Sequence, residues 1–377
     1  MPDPERETQT GPEIEPPDSA APPPRVIHFH FGSDGGAERF FVKLANGLAE
    51  RGVPQHAFLR PGRPWRAAVE PAVTVHEGVY RRYTIARFLM RRRLARLTAE
   101  FRPDVMIAWM TRAARMMPDV PGVLRIARLG DYPSHLGYFR NIDVIVCLTP
   151  DMARHVRGLG WTRGIEVIGN FADPLGPGRA SRAANDTPDD AFVVAAGGRF
   201  VRRKGFHILI DAVARVEGVH LWLYGDGDEA EALRAQAAAS GVGERIRFLG
   251  WQADPGPVLR AADVLAMPSD HEPLGNTVLE GWATGATVIA AKSEGPLWQI
   301  TDDEDGLLFD IDDVAGLARI LERLRDEPQT RARLAAAGTA TLERRFSKRA
   351  ILDEYVALFR KSRAEAIVPD RTSSGGS

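Results

Sequence analysis

Two glutamates eight positions apart, Glu272 and Glu280, bracket a glycine in the stretch Glu272-Pro-Leu-Gly-Asn-Thr-Val-Leu-Glu280. An apolar run from Val264 to Met267 is broken by Pro268 and a polar turn. A helical pattern then starts near Asn276, and a second apolar run covers Thr287 to Ala291. The order is strand, loop, helix, strand. It places Glu272 in the loop ahead of the helix and Glu280 about a turn inside it, on the face shared with Asn276. Gly275 lets a ligand approach the backbone, and the first amides of a helix have no internal partner, so the helix start offers an anion site. Carboxylates repel an anion held there, so these two suit hydroxyls on either side of it. A nucleotide-sugar fits that layout, with sugar hydroxyls at Glu272, the diphosphate at the helix start and ribose hydroxyls at Glu280. Either glutamate taken alone reads better as a solvated acid, which is how most glutamates occur.

A second group of charges precedes this one. Gly197-Gly-Arg199-Phe-Val-Arg-Arg-Lys204-Gly205 follows an apolar run, Ala191 to Ala196, and leads into a helical pattern from Phe206 to Val216. Basic side chains at such a junction can neutralise a diphosphate without a metal, and more strongly as it departs with extra charge. Arg202 and Arg203 also read as surface cations. Nearer the start, a strand from Arg25 to Phe31, the loop Gly32 to Gly36 and a helix with Phe40, Leu44 and Leu48 on one face make another phosphate cradle.

The spelling of these stretches resembles that of the family-4 glycosyltransferases, retaining enzymes of the GT-B fold. Glu272 and Glu280 match the family's E-x7-E signature, with Leu274 where the family often has Phe. The resemblance implies that Glu272 contacts the donor sugar and Glu280 the ribose, with Leu274, Gly275, Asn276 and Thr277 along the donor. Arg199 and Lys204 match the R-x4-K-G pattern and fall to the diphosphate. Gly225, in Gly225-Asp-Gly227, and Gly250 with Trp251 stand where related enzymes hold the nucleobase; Trp251 reads as a stacking platform or as a packing residue. Gly35 and Gly36, followed by Glu38 and Arg39, resemble the stretch bordering the phosphates from the opposite side of the cleft. The segment Arg128 to Asn141 resembles part of the lipopolysaccharide-type transferases. There Asp131 and His135 lie in a loop where either could orient or deprotonate an acceptor hydroxyl, although a lone loop histidine is more often a surface residue.

The elements that position these groups follow a βαβ rhythm. Further strand-like runs lie at 55–59, 73–76, 104–109, 123–127, 142–148, 166–168, 219–224 and 245–249. With 377 residues, the chain is long for one core. The fold class expected is α/β, of the GT-B type: two doubly wound Rossmann-like domains facing a central cleft. The expected boundaries are a disordered proline-rich tail at 1–24, an acceptor-side domain at 25–175 and a donor-binding domain at 176–346. A helix at 347–365 crosses back so that Ile351, Leu352, Tyr355 and Phe359 face the first domain, and 366–377 forms a flexible tail. The polar, Pro- and Gly-rich run from Asp173 to Asp190 reads as the interdomain linker.

Composition narrows the partners. The net charge of −1 conceals an asymmetry: residues 25–175 hold 23 Lys and Arg against 13 Asp and Glu, a net +10, while 176–377 hold 25 against 31, a net −6. Seven arginines from Arg81 to Arg96, with no acid between them and interleaved with apolar residues, suit either an anionic membrane surface or a solvated helix face. No nucleic-acid motif accompanies them, so nucleic acid is not an expected partner. The single cysteine, Cys147, lies in an apolar run and reads as a core residue. Asp302 to Asp305 reads as a solvated acidic turn, and no metal and no cofactor are expected. There is no apolar run of membrane-spanning length and no basic-then-apolar leader, so the expected location is cytoplasmic, with peripheral contact at the cytoplasmic face of the inner membrane. The function expected is transfer of a sugar from a nucleotide-sugar to a hydroxyl of a glycan or lipid-linked acceptor, in lipopolysaccharide or surface polysaccharide synthesis. Two rivals fit the same residues: a nucleotide-sugar epimerase of the same fold, which consumes donor without acceptor, and a non-catalytic nucleotide-binding protein.

Overall fold

The computed structural model describes residues 22–33, 35–78, 85–172 and 175–368. Most of the expected N-terminal tail, Asp34 in the first glycine loop, Arg81 and Arg82 of the basic stretch, Asp173 and Pro174, and positions 369–377 of the expected C-terminal tail lie outside them.

Seven parallel strands build the first sheet: β1 (Val26–His30), β2 (Gln55–Leu59), β3 (Thr74–Glu77), β4 (Val105–Trp109), β5 (Leu124–Arg128), β6 (Val144–Cys147) and β7 (Gly164–Val167). Their spatial order is β3-β2-β1-β4-β5-β6-β7. Six more, β8 (Phe192–Arg199), β9 (Val219–Asp226), β10 (Ile246–Gly250), β11 (Val264–Met267), β12 (Thr287–Ala291) and β13 (Leu307–Phe309), build a second parallel sheet in the order β10-β9-β8-β11-β12-β13. In both sheets the third and fourth strands in spatial order, β1 and β4 or β8 and β11, mark where the winding reverses. Ligands of open parallel sheets gather at the carboxyl ends of strands at such a point.

Side chains alternate between two packed faces in each sheet, which is why these strands read as continuous apolar runs. Val105, Ile107 and Trp109 of β4 join one core and Met106 and Ala108 the other. In the second sheet Val264 and Ala266 join one core, and Leu265 and Met267 the opposite one. The sheets differ from expectation at one edge: β13 is only three residues long and follows an acidic turn, so it leaves no strand signature.

The helix Lys348–Arg360 buries Ile351, Leu352, Tyr355 and Phe359 in the core of the first sheet, although it follows the second domain in sequence. Ser347 starts it by accepting the Ala350 amide. Arg51 to Asp353, Lys348 to Glu50 and Lys361 to Glu166 tie it to the first domain. Residues 180–187 of the stretch read as a linker are anchored to the second domain. The Ala180 amide donates to Pro257 O, Arg182 pairs with Asp263, and the buried Thr187 hydroxyl accepts from Trp222 Nε1. Polar groups within this stretch have found partners on the second domain. Cys147 is buried, as its apolar surroundings imply.

Candidate functional site

Steric necessity shapes the second domain's share of the site. Gly205, in the left-handed region at φ 69°, turns the chain from the basic segment into the helix Phe206–Ala214; a Cβ there would lie 1.9 Å from the carbonyl oxygen of Pro268, just past β11. Gly275, at φ 86°, turns the chain into the helix Asn276–Ala283. These two turns bring the basic segment against the glutamate loop. Lys204 Nζ meets Glu272 Oε2 at 2.5 Å, with both side chains largely buried. An ammonium has three donors and a carboxylate two oxygens, so both retain capacity for a ligand beside this contact.

Gly198 pairs with Gly225 and Arg199 with Asp226 where β8 and β9 end together. Gly198 lies against the Lys204 stem, since a Cβ on it would be 3.9 Å from Lys204 Cε. Arg199 is exposed and has no ion-pair partner among the described residues. Glu280, a turn into the helix, lies close enough to the buried Tyr224 that its charge adds to burial in pushing the phenol upward. Gly250 ends β10 in the left-handed region, and Trp251 beyond it is 62% exposed, so it is not a packing residue. Leu274 is buried and joins a core of the first domain, which ties the glutamate loop to that domain.

From the first domain, the Gly35-Gly36 loop faces the same helix start: a Cβ on Gly36 would lie 3.9 Å from Asn276 Nδ2. Glu38 is buried and folds back over Gly32, while Arg39 is exposed and reaches Gly35 O at 3.4 Å. Asn276 itself accepts from Asn170 Nδ2 at 2.8 Å. Asn170 in turn accepts from Arg128, a buried guanidinium that sits over the Phe40 and Trp109 rings and also donates to Tyr355 Oη. Thr277 is half-buried on the first turn. Asp131 is exposed and lies 3.6 Å from His271 Nε2, next to Glu272. His135 is exposed, accepts from the amide of Gly137 and packs at a tilt against Tyr138, so its contacts stay within its own loop. The structure therefore brings Asp131 to the glutamate loop and leaves His135 apart from it.

Sequence reasoning passed over His271 and Glu294. The Glu294 carboxylate takes His271 Nδ1 at 2.8 Å on one oxygen and the Glu272 amide at 3.0 Å on the other. Burial pulls His271 down, but the Glu294 hydrogen bond and the charges of Glu294 and Asp131 outweigh it and raise its pKa. Burial pushes Glu294 up, but the His271 bond and backbone amides lower it below its ordinary value. The signal lay in the order of the strands, since β11 and β12 are neighbours and their following loops must touch. Beside this pair a cavity of about 360 Å³ opens between the domains, lined by Asp151, Arg154, Asp270, Lys292, Glu294 and Trp298 among others. The acidic turn is only partly solvated: Asp305 is buried, accepting from Thr341 Oγ1 and the Thr301 amide, and Asp303 pairs with Arg323 and Arg333.

Residues 34–174 match the family model described as Glycosyltransferase Family 4, and residues 179–341 the model described as Glycosyl transferases group 1. Two proteins of Rhizobium meliloti (strain 1021) are similar over 337 residues, 89% of this chain and 98% of each relative. They are the lipopolysaccharide core biosynthesis glycosyltransferases LpsD, 52% identical, and LpsE, 51% identical. Among solved structures, Anabaena Alr3699/HepE in complex with UDP superposes with a TM-score of 0.76 at 22% identity, covering 89% of this chain and 98% of that one. The apo lipopolysaccharide outer core galactosyltransferase WaaB superposes with a TM-score of 0.71 at 18% identity, covering 89% of this chain and 99% of that one.

Proposed function

This chain belongs to the family-4, group 1 glycosyltransferases, and from that premise we propose that it moves a sugar from a nucleotide-sugar to a hydroxyl of the lipopolysaccharide core, with retention at the anomeric carbon. The observation that carries the site assignment is the Lys204–Glu272 contact at the head of the helix Asn276–Ala283, facing Gly36 of the other domain. A cation, a carboxylate and a bare helix start within one turn of each other suit a diphosphate joined to a sugar. Glu272 takes the sugar hydroxyls, Lys204 and Arg199 the diphosphate, Glu280 the ribose, and the exposed Trp251 offers the base a stacking face. The core acceptor is suggested by the close likeness to LpsD and LpsE, and a nucleotide donor by the UDP bound to Alr3699/HepE.

In the reaction, the bond from the anomeric carbon to the diphosphate oxygen breaks while the acceptor oxygen bonds to that carbon on the same face. The acceptor proton passes to the departing diphosphate, whose added charge Arg199 and Lys204 stabilise; no protein nucleophile, metal or cofactor is used. On the helix Ile85–Phe101, Arg91, Arg92, Arg93 and Arg96 are exposed, and their charge suits docking on an anionic membrane at the cytoplasmic face. None of the described helices is long and apolar enough to cross a membrane.

A thermal-shift panel of UDP-, GDP- and ADP-sugars identifies the donor, because a ligand of the native state raises the melting temperature. With that donor, Glu272→Ala abolishes turnover while the fold, read by circular dichroism, is retained. Full activity in Glu272→Ala refutes the assignment.

A further inference from the structure

A carboxylate on a loop can grip a substrate only if its backbone is held, and a displacement of about 1 Å can cost on the order of 10²-fold in rate. Two hydrogen bonds clamp the main chain of Glu272: its amide donates to Glu294 Oε2 at 3.0 Å, and Gly295 N donates to its carbonyl at 2.9 Å. The second oxygen of Glu294 holds His271 Nδ1, and Nε2 of the same ring faces Asp131 on the other domain. A single carboxylate thus fixes the donor-side loop and the side chain that reaches across the cleft.

We propose that Glu294 and His271 are positioning residues for Glu272: Glu294 sets the shape of its loop, and His271, bridging Glu294 to Asp131, links that shape to the approach of the two domains. The inference rests on the reading of Glu272 as the donor-sugar carboxylate. At 3.6 Å the Nε2–Asp131 contact is an ion pair rather than a hydrogen bond, so it attracts only when the imidazole is the cation, while Nδ1 is hydrogen-bonded to Glu294. The groups facing His271 bear this out. Glu294 and Asp131 favour the cation, Arg203 opposes it more weakly, and the Tyr132 ring packs at 5.8 Å. Asp270 and Glu272 are its chain neighbours, and Lys204 neutralises Glu272. The raised His271 pKa has a defined sign. With both carboxylates ionised, the bridge is complete below the ordinary imidazole pKa and is lost as pH rises through the raised value, so the link weakens on the alkaline side.

The test is the pH profile of kcat and KM for the full chain, using the nucleotide-sugar selected by the thermal-shift panel. Wild type, Glu294→Ala, Glu294→Gln, His271→Gln and Glu272→Ala are compared at matched fold by circular dichroism. Glu294→Ala is expected to lose on the order of 10²-fold in kcat/KM. Glu294→Gln, which still offers an oxygen to the Glu272 amide, recovers much of that loss but moves the alkaline limb to lower pH, because His271 has lost an anionic partner. His271→Gln abolishes the limb. Wild-type rates and an unmoved limb in the 294 and 271 variants overturn the inference while Glu272→Ala is still dead. Should Glu272→Ala be active, the underlying donor-site reading falls, and this inference with it.

Discussion

Glu272 and Lys204 are 68 positions apart in the chain and 2.5 Å apart in space. Each was legible in the sequence because the stretch around it is short and continuous: a strand end, a glycine and a helix start put side chains on a known side of the turn. What was not legible was their contact, nor the pairing of His271 with Glu294 and Asp131, because those depend on which strand ends lie side by side. A salt bridge this sheltered has consequences when one partner is removed. Lys204→Ala takes away the cation assigned to the diphosphate and leaves Glu272 without its counter-charge. We expect kcat/KM to fall on the order of 10²-fold, from loss of charge stabilisation as the diphosphate departs, with the fold retained. Steady-state kinetics with the selected donor measure this, and wild-type kcat/KM in that variant would remove Lys204 from the site.

The turns that carry those residues are fixed by backbone geometry more than by side chains. Gly205 at φ 69° has the Pro268 carbonyl where a Cβ would go, so the β8 turn and the end of β11 close on each other only because the position is glycine. Gly205→Ala should therefore cost at least the roughly 1–2 kcal/mol of a left-handed L-residue, and more for the clash with main chain. Differential scanning calorimetry should show a clear drop in melting temperature, and an unchanged melt would mean the turn is looser than the structure has it. Sequence pattern captured the long strands and helices at this scale because their apolar periodicity is strong. It missed β13, too short to alternate, and the break in the last helical stretch. There Ser362 and Glu365 form a reciprocal capping box and begin a new helix, Arg363–Ile367, without any Gly or Pro to announce it. It read Asp173 to Asp190 as the interdomain linker, but composition could not reveal that Arg182 and Thr187 within it have partners far along the chain.

Over the whole molecule, two doubly wound domains meet through side chains, several of which reach the site. The helix Lys348–Arg360 completes the first domain's core and supplies Tyr355 to the buried Arg128, which holds Asn170, which holds Asn276 at the helix start beside Gly275. Asp131 and His271 face each other across the same cleft. The parallel sheets were implied by the βαβ rhythm, but this convergence could be read only once the strand order was known. The central claim is that Glu272, Glu280, Arg199 and Lys204 hold one donor in that cleft, and a crystal structure with the selected nucleotide-sugar bound tests it most directly. The account predicts sugar hydroxyls on Glu272, the diphosphate between Arg199, Lys204 and the amides after Gly275, and the ribose on Glu280. A donor whose diphosphate lay away from both cations, with the two glutamates untouched, would contradict it.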